Sequence, residues 1–76
     1  METILAITNS TSSAIKLIVC KSTEDAIKLM EKTYDKLCKE NSYDYDNTYI
    51  DEDLGYAQVA NGFELTEFRI GKLSFA

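Results

Sequence analysis

The apolar residues of this chain change period twice. Between residues 22 and 41 (STEDAIKLMEKTYDKLCKEN) they recur every three or four positions. On a helical wheel Ala26, Leu37, Met30, Tyr34, Ile27 and Cys38 fall within an arc of about 120°. Glu24, Lys28, Lys32, Asp35, Lys36 and Lys39 occupy the other side. The pattern predicts one amphipathic helix. Ser22, with Asp25 three residues on, reads as a capping box. Glu24 and Asp25 fall in the positive first turn, and Lys36 and Lys39 near the negative end, as the helix dipole favours. Glu24–Lys28 and Asp35–Lys39 are favourably ordered pairs one turn apart. Leu29 points away from the stripe, which leaves it either an isolated exposed leucine or part of a contact surface.

The flanking segments read as strands. Residues 3–8 (TILAIT) are rich in Ile, Leu and Thr. Residues 9–13 (NSTSS) are polar and turn-forming. In residues 14–20 (AIKLIVC), Ile15, Leu17 and Val19 line one face and Ala14, Lys16, Ile18 and Cys20 the other. A strand apolar on both sides is expected in the middle of a sheet. After the helix come a polar connection at 42–46, a short strand at 47–51, a turn at 52–55 and a strand at 56–60. Asn61-Gly62 suits a two-residue hairpin turn, with both residues at positive φ. A last strand follows at 63–70, and residues 71–76 are left as an extension of it or a frayed end. In that register Phe68 stands opposite Gly55, and Glu64 faces Val59.

The predicted order is ββαβββ. This is an α+β fold in which one helix packs on one face of an antiparallel sheet, with residues 1–76 as a single domain. Tyr43, Tyr45, Tyr49, Tyr56, Phe63, Phe68 and Phe75 all fall in the second half. One helix is not expected to cover them all, and a homodimer is one arrangement that would.

Composition narrows the function classes. With 76 residues the core is barely sufficient. The net charge of −5 argues against direct binding of nucleic-acid phosphates, which needs clustered Lys and Arg. The apolar run at 14–20 has no cationic leader or cleavage site, and nothing approaches the length of a membrane span, so a cytoplasmic protein is expected. Cys20 and Cys38 form no CxxC frame and are expected to stay reduced and buried, Cys38 as a packing residue. With no histidine, a zinc site is not expected. No cofactor is implied. Arg69 is the single arginine among eight basic residues. It is expected to pair with a carboxylate such as Glu67, two positions along the same strand face, or to stack on a tyrosine. The excess of Lys, Ile, Asn and Tyr is what an AT-rich genome produces.

Asp44-Tyr45-Asp46-Asn47-Thr48-Tyr49-Ile50-Asp51-Glu52-Asp53 is the one unusual local feature, and it allows several readings. As a calcium loop it fails at two positions: Tyr49 stands where glycine is required, and Gly55 where the bidentate glutamate belongs. Carboxylate-pair catalysis by Asp51 and Asp53, or by Glu64 and Glu67, lacks room for a substrate pocket in so short a chain. As a binding surface, carboxylates interleaved with tyrosines imitate phosphate charge and give aromatic anchors with an acidic rim. The plainest reading is a pair of solvated turns flanking edge strands.

Residues 34–73 carry an amphipathic helix with a tyrosine, an acidic linker, and then Tyr56-Ala57, Asn61-Gly62 and Phe68-Arg69-Ile70 in that order. This half resembles small open reading frames of Gram-positive bacteria, their phages and other mobile elements, where tryptophan is commoner at the position of Phe68. No activity comes with the resemblance. It implies a setting in which small acidic proteins often block a host defence or regulatory protein that handles nucleic acid. The sequence is accordingly read as a non-enzymatic module that binds a basic, nucleic-acid-binding host protein through Asp44, Tyr45, Asp46, Tyr49, Asp51, Glu52 and Asp53. The alternative is a small homo-oligomerising adaptor whose sheet self-pairs while the acidic loops serve solubility.

Overall fold

A computed structural model describes residues 2–40, 43–62 and 64–73. It comprises β1 (Glu2–Asn9), β2 (Ser12–Cys20), α1 (Thr23–Glu40), a 3₁₀ turn (Tyr45–Asn47), β3 (Tyr49–Asp51), β4 (Tyr56–Asn61) and β5 (Glu64–Leu73). All strand pairs are antiparallel, in the order β2-β1-β5-β4-β3, and α1 lies across one face. The ββαβββ order and α+β class expected from the sequence are those of the molecule. Asn41 and Ser42, the Phe63 that opened the predicted last strand, and Phe75 lie outside the described residues.

The core forms where the helix stripe meets alternate residues of the central strands. Leu5, Met30, Ala57, Val59 and Phe68 are its buried centre. Removing such side chains from water contributes about 1.5–3 kcal/mol for each large one. Thr3, Leu5 and Ile7 of β1 face the helix, opposite Lys72, Ile70 and Phe68 of β5. Ser22 caps α1, its hydroxyl accepting from Asp25 N–H at 3.2 Å. Lys72 ties the sheet to the start of the helix, its ammonium donating to Thr3 Oγ1 at 2.7 Å and Thr23 Oγ1 at 3.1 Å.

The β1–β2 turn is tighter than the polar run 9–13 suggests. Ser12 already belongs to β2, and Asn9 pairs with it across Ser10 and Thr11. Asn9 Oδ1 accepts from Thr11 N–H at 2.9 Å, and Asn9 Nδ2 donates to Thr66 Oγ1 at 3.0 Å. Ser10 bonds Leu65 twice, through its N–H and its hydroxyl, each at 2.9 Å. The turn residues are thereby fastened to β5.

Four expectations are corrected. First, β2 is an edge strand, not a central one. The short turn holds β2 on one side of β1, and β5 takes the other, so β2 has a single neighbour. Its two apolar faces therefore have different fates: Ile18 and Cys20 pack toward the core, while Ile15, Leu17 and Val19 lie on the open face. Second, Leu29 is half-buried against the core cluster. A sheet five strands wide extends roughly 19 Å across and reaches beyond a 120° stripe.

Third, the last hairpin is shifted. Asn61 pairs with Glu64, so Phe68 stands opposite Ala57, Ile70 comes to Gly55, and Glu64 no longer faces Val59. Gly62 has φ +61°, and no described non-glycine residue, Asn61 included, has positive φ. A shift of two residues keeps every side chain on its own face, which is why the facial assignment survives the change of partners. Fourth, the ion pair on α1 is Lys36–Glu40, at 4.0 Å. Neither Glu24–Lys28 nor Asp35–Lys39 closes.

Candidate binding surfaces

The acidic segment is held in place by β4. Asp44 N–H donates to Ala60 C=O at 2.7 Å, Ala60 N–H to Thr48 Oγ1 at 3.0 Å, and Gln58 Nε2 to Asn47 C=O at 2.7 Å. Residues 44–48 thus continue the line of β3 along the edge of β4. Asp44 caps the 3₁₀ turn: Oδ1 accepts from Asp46 N–H at 3.2 Å, and Oδ2 from Asn47 Nδ2 at 2.8 Å. At the far end of β3, Asp51 Oδ1 accepts from Leu54 N–H at 3.1 Å, and Gly55 closes the turn at φ +64°. Both aspartates do the work of turn residues, binding their own backbone a few positions on.

The seven residues singled out from sequence are therefore strung along one edge and do not converge. Asp44, Tyr45 and Asp46 lie before β3, Tyr49 and Asp51 within it, and Glu52 and Asp53 after it. Tyr45 is 81% exposed, its ring 6.5 Å from that of Tyr43. Tyr49 is 48% exposed and leans on Tyr56, with ring centroids 5.9 Å apart. None of the five carboxylates is in an ion pair with a described residue; the two ion pairs among those residues are Lys36–Glu40 and Arg69–Glu67. Glu31 of α1 joins this edge. Its hydrogen bond to Glu52, and then its charge, hold the Glu52 carboxyl above the usual carboxylate range. Glu31 was not legible as a member, because its approach depends on how the helix lies over the sheet. Among the described residues no three His, Cys, Asp or Glu are grouped to hold a metal ion.

Beside β3, the open face carries a polar cluster. Arg69 does both things expected of it: Nη2 donates to Glu67 Oε2 at 2.9 Å, and its guanidinium carbon lies 5.5 Å from the centre of the Tyr56 ring. The Tyr56 hydroxyl lies 2.6 Å from Glu67 Oε2 and 2.7 Å from Gln58 Oε1, so one proton serves two acceptors. Burial, then the hydrogen bond and charge of Glu67, push the Tyr56 phenol up to about 12. On the helix, burial raises the Cys38 thiol against the opposing hydrogen bond from Tyr34, which makes it less nucleophilic.

The opposite edge has another character. Ile15, Leu17 and Val19 are 64%, 61% and 63% exposed in one row on the open face of β2. They continue inward to Ile4 and Ala6, which pair with Val19 and Leu17. Sequence reasoning placed these three residues on one face but hid them in the sheet. Alternation shows which residues share a face; it does not show how many neighbours a strand has.

No helix among the described residues is long and apolar enough to cross a membrane. Comparison with family models, curated proteins and solved structures found no match to this chain.

Proposed function

We propose that this protein is a non-enzymatic, acidic protein-binding module whose β3 edge occupies the nucleic-acid groove of a basic protein. The observation that carries this reading is the row Asp44, Asp46, Asp51, Glu52 and Asp53, without ion-pair partners among the described residues and interleaved with exposed Tyr45 and Tyr49. Strung along β3 and the turns on either side of it, these carboxylates offer a line of negative charge to a surface built for phosphates. The tyrosines supply rigid contact area at low entropic cost, as anchors do in protein interfaces. In the mobile-element setting that the resemblance implies, the partner is a host defence or regulatory protein.

The test is capture of basic proteins from a low-GC Gram-positive lysate on the immobilised protein, eluted by a salt gradient and by competing nucleic acid. Asp46→Asn, Glu52→Gln and Asp53→Asn together leave the two turn-forming aspartates in place. A specific partner released at moderate salt and by nucleic acid, and lost with the triple variant, supports the reading, because rim charges are screened within about 8 Å at physiological ionic strength. Retention that ignores salt or the triple variant rejects it.

A further inference from the structure

We infer that a second copy of this chain pairs antiparallel with β2, about a two-fold axis at Leu17. The two edges of the sheet are treated in opposite ways. β3 is three residues long, bounded by acidic turns and prolonged by the 44–48 segment. β2 runs for nine residues with no strand beyond it among the described residues. Exposed edges are ordinarily blunted by proline, lysine, bulges or brevity. The chain has no proline, the only charge on β2 is Lys16, and the irregularity in its pairing lies at the turn end, next to Thr8 and Asn9. Along residues 15–20 the outer backbone of β2 thus faces no other strand among the described residues.

The sequence of β2 matches itself. Antiparallel pairing centred on Leu17 sets Leu17 against Leu17, Ile15 against Val19 and Val19 against Ile15 of the second copy. All three exposed apolar residues then gain apolar cross-strand neighbours, the pairing that stabilises sheets. On the helix side Ile18, half-buried because β2 has no outer neighbour, is covered by the stem of Lys16 from the second copy.

Charge selects the same occupant. A chain of net charge −5 repels its own copy unless the contact keeps the acids apart. β2 has no acidic residue. Joined there, two five-stranded sheets hold their β3 edges roughly 40 Å apart, about five screening lengths at physiological salt. Pairing through β3 would bring both acidic rows together. The contact area of one strand pair falls below the roughly 800 Å² per partner of tight complexes, so the dimer dissociates on dilution through the micromolar range.

Sedimentation equilibrium over low to high micromolar protein tests this, together with hydrogen exchange at both ends of the range. The expected result is a monomer–dimer equilibrium that Leu17→Lys abolishes without changing the circular dichroism. Alternate β2 amides, those pointing away from β1, gain protection at high concentration. A monomer throughout overturns the inference, as does a dimer that survives Leu17→Lys. A Leu17-dependent dimer with no protected β2 amides overturns it too, since stacking of the open faces buries side chains and leaves edge amides free.

Discussion

Ile70 lies against Gly55 across the β4–β5 pair: a Cβ at Gly55 would sit 3.1 Å from Ile70 Cβ, while Gly55 C=O accepts from Ile70 N–H at 2.8 Å. The absent side chain lets β5 approach at the point where the chain leaves the β3–β4 turn. Because this place goes to Ile70, Phe68 falls opposite Ala57 and enters the centre of the core.

Gly55→Ala and Gly62→Ala separate backbone strain from packing. Both glycines have φ near +60°, a region that costs other residues of order 1 kcal/mol. A Cβ at Gly62 meets nothing within 4 Å. Gly62→Ala is expected to lose about 1 kcal/mol in urea denaturation, and Gly55→Ala distinctly more, because Ile70 must yield as well. Equal losses would show that the contact is relieved freely.

Phe68 is fully buried. Phe68→Ala is expected to cost about 3–5 kcal/mol by leaving a cavity, enough to unfold most of a domain of this size at room temperature. Phe68→Leu should remain folded with a lowered denaturation midpoint. A well-folded alanine variant would mean that the sheet and helix collapse onto the space.

The proton on Tyr56 links stability to alkaline pH. Its folded value of about 12 lies above the ordinary tyrosine value of about 10. The folded state therefore holds this proton more tightly, and the resulting stability is fully present below pH about 10 and lost as pH rises through about 12. Tyrosinate absorbance should show a phenol titrating near 12 that disappears in Tyr56→Phe. Glu67→Gln should move it only part of the way down, since burial is the larger cause. A high-pH absorbance titration that Tyr56→Phe leaves unchanged would contradict this geometry.

The acidic edge should divide by role when stability is measured. Asp44→Ala removes the cap of the 3₁₀ turn and is expected to cost about 1 kcal/mol, whereas Asp44→Asn keeps an acceptor and costs little. Asp46→Asn and Asp53→Asn should leave thermal unfolding nearly unchanged, because neither carboxylate bonds a described residue.

Local chemistry was legible without the fold. The 3.6 period marked α1 and its stripe, Ser22 marked its start, and alternation assigned each strand residue to a face. Even Arg69 could be matched to Glu67, because residues two apart on a strand share a face. The candidate residues of the acidic segment were visible as a composition, but their layout was not. Nothing in Asp44 or Asp51 announced that its carboxylate would fasten a turn, and nothing in Glu31 announced that it would meet Glu52.

By itself the sequence determined which elements form, in what order, and which side of each is apolar, since these follow from periodicity and from backbone preferences a few residues long. Tertiary structure alone decided which strand stands beside which. Pairing β1 with β5 joins segments far apart in the chain, and that choice made β2 an edge and set Ile15, Leu17 and Val19 on an open face. It also chose Ile70 over Phe68 as the neighbour of Gly55, because a slip of two residues preserves every facial assignment and is decided only by how side chains pack across the sheet.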